Sequence, residues 1–150
     1  MVGDGKIRSN LEDLVKAQDV SDYVEFTGWK PCELIPTYIA LSDICLVPHH
    51  ANPHTDATIP HKLFQYMLLE KPVIVSSCRP LARIVSEVEA GLIFAPGNSD
   101  EFARVCLELL DADKRKQFGK NGKRAALQKY NWERTGENLL AVYESIRDAR

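Results

Sequence analysis

Hydrophobic and polar positions follow two spacings along this chain. Short continuous apolar runs, such as ICLV at 44–47 and VIV at 73–75, have the length and the β-branched content of buried strands. Between them lie longer stretches whose apolar residues recur three and four positions apart, which is the spacing of a helix with one buried face. Strands that alternate with helices in this way predict βαβ units and a mostly parallel sheet, and therefore an α/β fold.

Local signals give the bounds of the individual elements. Ser9 and Glu12 have the spacing of a capping box, so a helix is predicted from Ser9 to about Gln18. The alternating segment 23–27 predicts a strand, and the strand over 44–47 is expected to be covered on both faces. The remaining predictions are a short helix over 31–41, a helix entered through Pro60, strands over 73–75 and 92–95, a helix over 81–87, and helices starting at Asn98, Asp113 and Asn131.

Composition narrows the class of protein. A chain of 150 residues is one ordinary domain, and a net charge of −2 gives no general attraction to nucleic acid or to an acidic membrane. The basic segment that follows Asp113 fits a solvated helix face, so membrane contact is expected to be peripheral at most. The four cysteines are spaced too widely for a metal site or a disulfide framework, and no signal peptide or apolar span is present. We therefore expect buried thiols and a cytoplasmic location.

The stretch from Asp56 to Ser77 is the one around which the rest of the chain is organised. It reads as a polar loop, a helix entered through Pro60, a turn and a β-branched strand. In an open α/β sheet the N-terminus of such a helix lies near the carboxyl ends of the strands, where its free N–H groups and its dipole favour phosphate. The sequence therefore predicts an anion site at the start of this helix.

The order of the motifs resembles a known family. VGDG, VEFTGW, SDICLVP, PHKLFQYMLLEKPVIVSS, GLIFAPGN and a tryptophan-led last helix follow one another as in the C-terminal domain of GT-B glycosyltransferases of family 4, or group 1. The resemblance implies a Rossmann-like, three-layer domain that binds a nucleotide sugar, with retention of the anomeric configuration and without a metal or other cofactor. It also implies that the chain is a fragment, one donor-binding domain over residues 1–150 that lacks an N-terminal acceptor domain and is inactive by itself.

The resemblance also assigns roles to residues. The family's glycine-rich turn matches Gly3 and Gly5, and its base-binding region matches Thr27, Trp29 and Lys30. Its two signature glutamates, the first facing the donor sugar and the second the ribose, match Ala57 and Gln65. Gln65 can still hydrogen-bond a ribose, whereas Ala57 cannot contact a sugar hydroxyl, and the neighbouring Asp56 is the one candidate for a catalytic or sugar-binding carboxylate.

Between these two positions lies the expected diphosphate site. The segment Thr58, Ile59, Pro60, His61 and Lys62 leads into the helix. The backbone N–H groups of Ile59, His61 and Lys62 could hold the diphosphate, with the Lys62 ammonium as a nearby positive charge. The preceding loop carries three histidines, and we interpret it as polar lining of a sugar pocket in preference to a metal site because the spacing of its potential ligands is irregular.

We therefore predict the donor-binding domain of a hexosyltransferase. It would transfer a sugar from a UDP- or GDP-sugar to a glycan or lipid-linked acceptor, as in polysaccharide biosynthesis. Two alternatives stay open. One is a noncatalytic nucleotide-sugar-binding or assembly module with a degenerate pocket, and the other is a nucleotide-sugar epimerase of the same fold.

Overall fold

The computed structural model describes residues 1–148. The chain forms two compact units, one made of Met1–Leu41 and one that begins at Ser42. In the first unit, helices α1 (Arg8–Ala17) and α2 (Ile35–Leu41) are joined by a segment with two short 3₁₀ turns, Ser21–Tyr23 and Cys32–Leu34. The helix predicted over 31–41 is confirmed, because the second 3₁₀ turn leads directly into α2.

Two details of the first unit differ from the sequence predictions. The capping box is wrong: α1 begins one residue earlier, with Ile7 at its N-cap, and the Glu12 carboxylate accepts a 2.7 Å hydrogen bond from Arg8 Nε instead. The strand over 23–27 is also wrong. Among residues 1–148, a single parallel bridge joins Val2 to Gly28, and the Thr27 N–H donates to the Met1 carbonyl, so no regular strand forms over 23–27.

The second unit is a parallel α/β structure. Its strands are β1 (Cys45–Val47), β2 (Val73–Ser76) and β3 (Gly91–Phe94), all parallel and in the order β1-β2-β3. Helix α3 (His61–Leu68) connects the first two strands and α4 (Arg79–Val88) the last two. Three further helices follow, α5 (Ser99–Glu108), α6 (Ala112–Gln128) and α7 (Trp132–Asp148). The predicted α/β class and parallel sheet are confirmed.

The central strand is covered on both faces. Ile74 belongs to a cluster with Phe94, Val105 and Leu109, which lies between the sheet and α5. Val73 and Val75 point to the opposite face because side chains alternate along a strand, and both are fully buried as well. Burial on both faces makes this unit a three-layer, Rossmann-like arrangement. The corresponding prediction for the strand over 44–47 is wrong, because Leu46 on the edge strand β1 is 39% exposed.

The starts of the later helices depend on side-chain caps. Asn98 Oδ1 accepts from the Glu101 N–H at 3.0 Å, and Asn131 Oδ1 accepts from the Arg134 N–H at 2.9 Å, as the sequence predicted. The predicted start of α6 at Asp113 is wrong, because the cap is Asp111, whose Oδ1 accepts from two backbone N–H groups of the first turn.

The cysteines and the apolar stripe of α7 differ in how far they are exposed to solvent. Cys45 and Cys78 are buried, as expected, but Cys32 is exposed. The apolar stripe of α7 is exposed along its length, at Leu139, Val142, Tyr143 and Ile146. Among residues 1–148, no helix is both long enough and apolar enough to cross a membrane.

A glycine allows α6 to pack against the end of α3. A Cβ atom on Gly119 would lie 2.2 Å from the carbonyl oxygen of Glu70, whose own φ of 60° marks the turn after α3. Backbone atoms cannot yield as the end of a flexible side chain can, so any larger residue here must push the two helices apart.

We therefore expect Gly119→Ala to lower the free energy of unfolding by at least ~2 kcal/mol, because the steric cost exceeds the gain in helix propensity. Gly136→Ala is the matched control, since Gly136 is also helical but has open space around its Cβ position. It should raise the stability by up to about 1 kcal/mol. Urea unfolding of both variants measures the difference, and equal effects would show that Gly119 is not required by packing.

Candidate functional site

The loops that follow the three strands meet at the carboxyl edge of the sheet. After β1 the chain runs through a long loop, 48–60, before α3 begins, whereas β2 and β3 lead within a few residues into α4 and α5. In parallel α/β sheets this edge is where ligands bind, because the helix N-termini and the loops converge there.

The N-terminus of α3 has no side-chain cap. Pro60 is the N-cap residue, with extended backbone (φ −71°, ψ 130°), and no side chain accepts a hydrogen bond from the first turn. By contrast, side-chain oxygens of Asn98, Asp111 and Asn131 cap the N-termini of α5, α6 and α7. The first N–H groups of α3, which include those of His61 and Lys62, therefore remain available to a ligand.

Two basic side chains lie close to each other beside this terminus. Burial lowers the pKa of the half-buried Lys62 ammonium. The pKa of His49 is lowered chiefly by burial and further by the positive charges of Lys62 and His54. His49 Nδ1 is buried and has no hydrogen-bond partner among residues 1–148. This end of α3 thus places positive charge and an unpaired polar group where an anion would relieve both costs.

The loop before α3 is held mainly by its own polar side chains. Asn52 Oδ1 accepts from the N–H groups of His54 and Thr55 at 2.9 and 3.0 Å, and Thr55 Oγ1 donates to the His50 carbonyl at 2.7 Å. Thr58, a predicted ligand contact, donates its hydroxyl to the His54 carbonyl at 2.9 Å. These bonds fix the loop that leads into Pro60.

Asp56 has a structural partner. Its Oδ1 accepts a 3.0 Å hydrogen bond from the backbone N–H of Arg79, the first residue of α4. A carboxylate at a helix N-terminus satisfies an open N–H group and interacts favourably with the helix dipole. The one carboxylate that the sequence offers as a catalytic candidate is thus bound to the start of α4.

The other predicted residues fall into two groups. Gln65 is exposed on α3 and lines an open groove of about 430 Å³ together with Phe64, whose ring packs 5.4 Å from that of Tyr130. Ile59, Pro60, His61 and Lys62 precede Gln65 by three to six residues, at the start of the same helix.

Three of the predicted residues of the first unit, Gly3, Gly5 and Thr27, lie at its N-terminal backbone. Gly3 donates its N–H to the Gly28 carbonyl at 2.9 Å and has a φ of 128°, which glycine adopts readily. The N–H of Gly5 donates to Asp4 Oδ1, and Thr27 donates to the Met1 carbonyl. Trp29 is 72% exposed and Lys30 is partly exposed.

The histidine-rich loop does not form a metal-binding cluster in the part of the chain that is described. Within residues 1–148, no three or more histidine, cysteine or acidic side chains come together in an arrangement that could hold a metal ion.

A cavity of about 380 Å³ lies where the loops after β1 and β3 face each other. Most of its lining residues carry no motif in the sequence, although the carboxyl ends of parallel strands share one edge, and that rule could have indicated the cavity. Its walls combine apolar rings with a few polar groups, namely Phe94, Phe102, Pro96, His49, His50 and Asn98. Among its lining residues none is acidic, and the two histidines are the only basic ones.

Comparison with known proteins agrees with this architecture. The model for the family "Glycosyl transferases group 1" matches residues 1–125. The chain belongs to this family. The resemblance seen in the order of the sequence motifs is therefore confirmed.

The similar proteins and solved structures are longer than the present chain. The chain is 24% identical over 147 residues to the alpha-D-kanosaminyltransferase of Streptomyces kanamyceticus, covering 97% of this chain and 37% of that protein. It is 31% identical over 111 residues to the 2-deoxystreptamine glucosyltransferase of the same organism, covering 74% and 27%. The chain thus spans about a third of the length of these curated relatives.

Structural similarity covers almost the whole chain. Sucrose-phosphate synthase from Thermosynechococcus elongatus has a TM-score of 0.81 at 26% identity, with 95% of this chain and 35% of that chain covered. Anabaena HepE in complex with UDP also has a TM-score of 0.81, at 20% identity, with 96% and 40% covered. The Rossmann-like fold of this family member is confirmed by these neighbours.

The hydrogen bond from the Arg79 N–H to Asp56 should stabilise the folded chain, so removing the Asp56 carboxylate should lower the free energy of unfolding. Asp56→Ala should lower the free energy of unfolding by about 1 kcal/mol, whereas Asp56→Asn, which keeps an oxygen acceptor, should lower it by less. Urea unfolding provides the measurement. An Ala variant as stable as the original chain would show that the carboxylate does not serve as a cap.

The lowered pKa of His49 predicts a dependence of stability on pH. Below pH 6.5, the ordinary pKa of histidine, residue His49 binds a proton more readily in the unfolded chain than in the folded chain. Its contribution to the free energy of unfolding is therefore fully present above pH 6.5 and is lost as the pH falls toward the pKa of the folded state. His49→Gln should remove that component, so the variant should lose less stability than the original chain between pH 7.5 and 5. The exposed His50→Gln is the control, and parallel curves for His49→Gln and the original chain would contradict the assignment.

Proposed function

We propose that this chain is the donor-binding part of a retaining glycosyltransferase that uses a UDP- or GDP-sugar. The observation that carries the proposal is the uncapped N-terminus of α3, with Lys62 half-buried beside it, in a chain that belongs to the group 1 family. A diphosphate there would accept hydrogen bonds from the open N–H groups of α3 and would interact with the Lys62 ammonium.

The same arrangement accounts for the chemistry of sugar transfer. When the bond between the sugar and the diphosphate breaks, negative charge increases on the departing phosphate oxygens. Donors that are already oriented toward that charge stabilise the transition state more than the ground state. In this proposal the α3 N-terminus and Lys62 stabilise the leaving nucleoside diphosphate, and no residue of the chain needs to form a covalent intermediate.

One solved structure of similar fold supports uridine as the base. HepE was solved in complexes with UDP and with UDP-glucose. A role in making polysaccharides or lipid-linked glycans is consistent with the names of two similar proteins, the amylovoran biosynthesis glycosyltransferase of Erwinia amylovora and WaaG, a glycosyltransferase of lipopolysaccharide biosynthesis. The acceptor would bind to a further domain, so we expect the chain by itself to bind a donor without transferring the sugar.

A second candidate is a noncatalytic nucleotide-sugar-binding module. It is favoured by Ala57 and Gln65, which stand where the family has glutamates, and by the bond that ties Asp56 to α4. Both candidates predict donor binding, and only a transfer assay with the complete protein separates them.

Calorimetric titration with UDP, GDP and ADP tests the shared donor site. One diphosphate should bind, and both Lys62→Met and Gln65→Ala should weaken it by ~1 kcal/mol or more, because each variant removes a hydrogen-bonding side chain from the site. Lys120→Met, which removes an exposed lysine on α6, is the matched control and should leave the affinity unchanged. Affinity that is equal in all three variants would contradict the assignment of the site to α3.

A further inference from the structure

Asp56 connects the loop before α3 to a different helix. Its Oδ1 accepts a 3.0 Å hydrogen bond from the backbone N–H of Arg79, the first residue of α4. We propose that Asp56 is a positioning residue for the diphosphate site, because this bond holds the segment 57–62 in the conformation that receives the ligand. The inference rests on the proposed function, since it takes the diphosphate to bind at the N-terminus of α3.

The first argument is that the start of α3 is weakly fixed by the helix itself. The helix is only eight residues long, His61–Leu68, and no side chain caps its first turn. Its buried residues, Leu63 and Met67, come after the first two positions. The orientation of the first N–H groups therefore depends on the loop that leads into Pro60.

The second argument is the pattern of hydrogen bonds in that loop. The Asp56 N–H donates to the Asn52 carbonyl at 2.9 Å, and the Ala57 N–H donates to the His54 carbonyl at 3.1 Å. The Asn52 side chain likewise bonds to backbone N–H groups of the loop. These bonds form a compact turn, and the carboxylate of Asp56 joins the turn to α4.

The third argument is that α4 is a fixed anchor. Leu81, Ile84 and Val85 on this helix have no exposed surface. The side chain of its N-cap residue, Cys78, makes no capping hydrogen bond, so Asp56 supplies an acceptor from outside the helix. A group bonded to the start of α4 is therefore held against the packed core of the unit.

The beginning of the loop is tied to the same place. The Cys78 thiol donates a weak hydrogen bond to the His49 carbonyl, with the sulfur 3.7 Å from the oxygen. The loop is thus bonded near both of its ends to two adjacent residues, Cys78 and Arg79. Donors that are oriented before the ligand arrives avoid the entropy cost of ordering them during binding.

The charge of Asp56 makes the proposal testable by the sign of an effect. A carboxylate near an anion site repels the ligand, so charge alone predicts tighter diphosphate binding after its removal. A positioning role predicts the opposite when the oxygen acceptor is lost. Asparagine loses the charge and keeps the acceptor, whereas alanine loses both, so the two substitutions separate these effects.

Calorimetric titration of Asp56→Asn and Asp56→Ala with UDP and with GDP tests the proposal, and the nucleotide that binds is used for the comparison. The two variants carry the same charge, so the ratio of their affinities measures what the acceptor contributes. Asp56→Ala should bind about three- to tenfold more weakly than Asp56→Asn. Asp56→Asn should bind at least as tightly as the original chain.

Asp111 provides a matched control. Its Oδ1 caps α6 by accepting from the N–H groups of Asp113 and Lys114, so Asp111→Ala also removes a carboxylate cap from a helix. Helix α6 approaches the other end of α3, where Gly119 meets the Glu70 carbonyl. Asp111→Ala and Asp111→Asn should therefore bind the nucleotide with equal affinity.

The original chain supplies a second measurement, which decides the question even if Asp56→Ala does not fold. Backbone ¹⁵N relaxation in the absence of nucleotide should give the amides of residues 57–62 order parameters close to those of α4, about 0.85. Order parameters below about 0.6 that rise only after nucleotide is added would show that the ligand, and not Asp56, orders this segment.

The outcomes separate this inference from the proposed function. If UDP or GDP binds to the original chain but Asp56→Ala and Asp56→Asn bind it equally, the positioning role is overturned and the donor site on α3 stands. The positioning role also falls if the two Asp111 variants differ as much as the two Asp56 variants, because the effect then follows from stability. If neither nucleotide binds to the original chain, the proposed function and this inference both fall.

Discussion

Burial of β2 on both of its faces is the constraint on which the rest of the second unit depends. Val73, Ile74 and Val75 have no exposed surface, and such complete burial requires a helical layer on each side of the sheet. Parallel strands can be joined only by crossover connections, so α3 and α4 each run back across the sheet before the next strand. The carboxyl ends of the strands, and the N-termini of the helices that follow them, are thereby brought to one edge.

At that edge lie three groups whose burial or missing hydrogen-bond partners cost free energy, and a bound ligand can offset that cost. Lys62 is partly desolvated, His49 Nδ1 is buried without a partner, and the first turn of α3 has no side-chain cap. Each feature alone is common at a protein surface. Together, on a chain of the group 1 family, they describe a place where a bound anion would offset all three costs.

The sequence predicted the parts of the fold that depend on long-range periodicity. The strands at Val73 and Gly91, and the caps at Asn98 and Asn131, follow from patterns that tertiary packing reinforces. The errors lie where a local pattern fits more than one outcome. Ser9 has the spacing of a capping box, but α1 starts one residue before it could serve, and the alternating segment 23–27 pairs with the N-terminal chain only through an isolated bridge.

Site residues were predictable only where a motif position marked them. Lys62 and Gln65 could be named because the sequence around them has a recognisable order, but the role of Asp56 at the start of α4 depends on a contact across 23 residues. The cavity involves residues from two separate strand ends, 44 or more positions apart in the chain, and no local pattern indicates that His49 and Asn98 lie on the same pocket.

The central claim is that the N-terminus of α3 binds the diphosphate of a nucleotide sugar. Backbone ¹⁵N–¹H NMR spectra of the chain, recorded during a titration with UDP and then with GDP, test it most directly because each amide reports on its own surroundings. The account predicts that one of the two nucleotides shifts the amide signals of Ile59, His61 and Lys62 most strongly, since these N–H groups would become hydrogen-bond donors to phosphate. Saturable shifts that leave these three amides unchanged, or no shifts with either nucleotide, would contradict it.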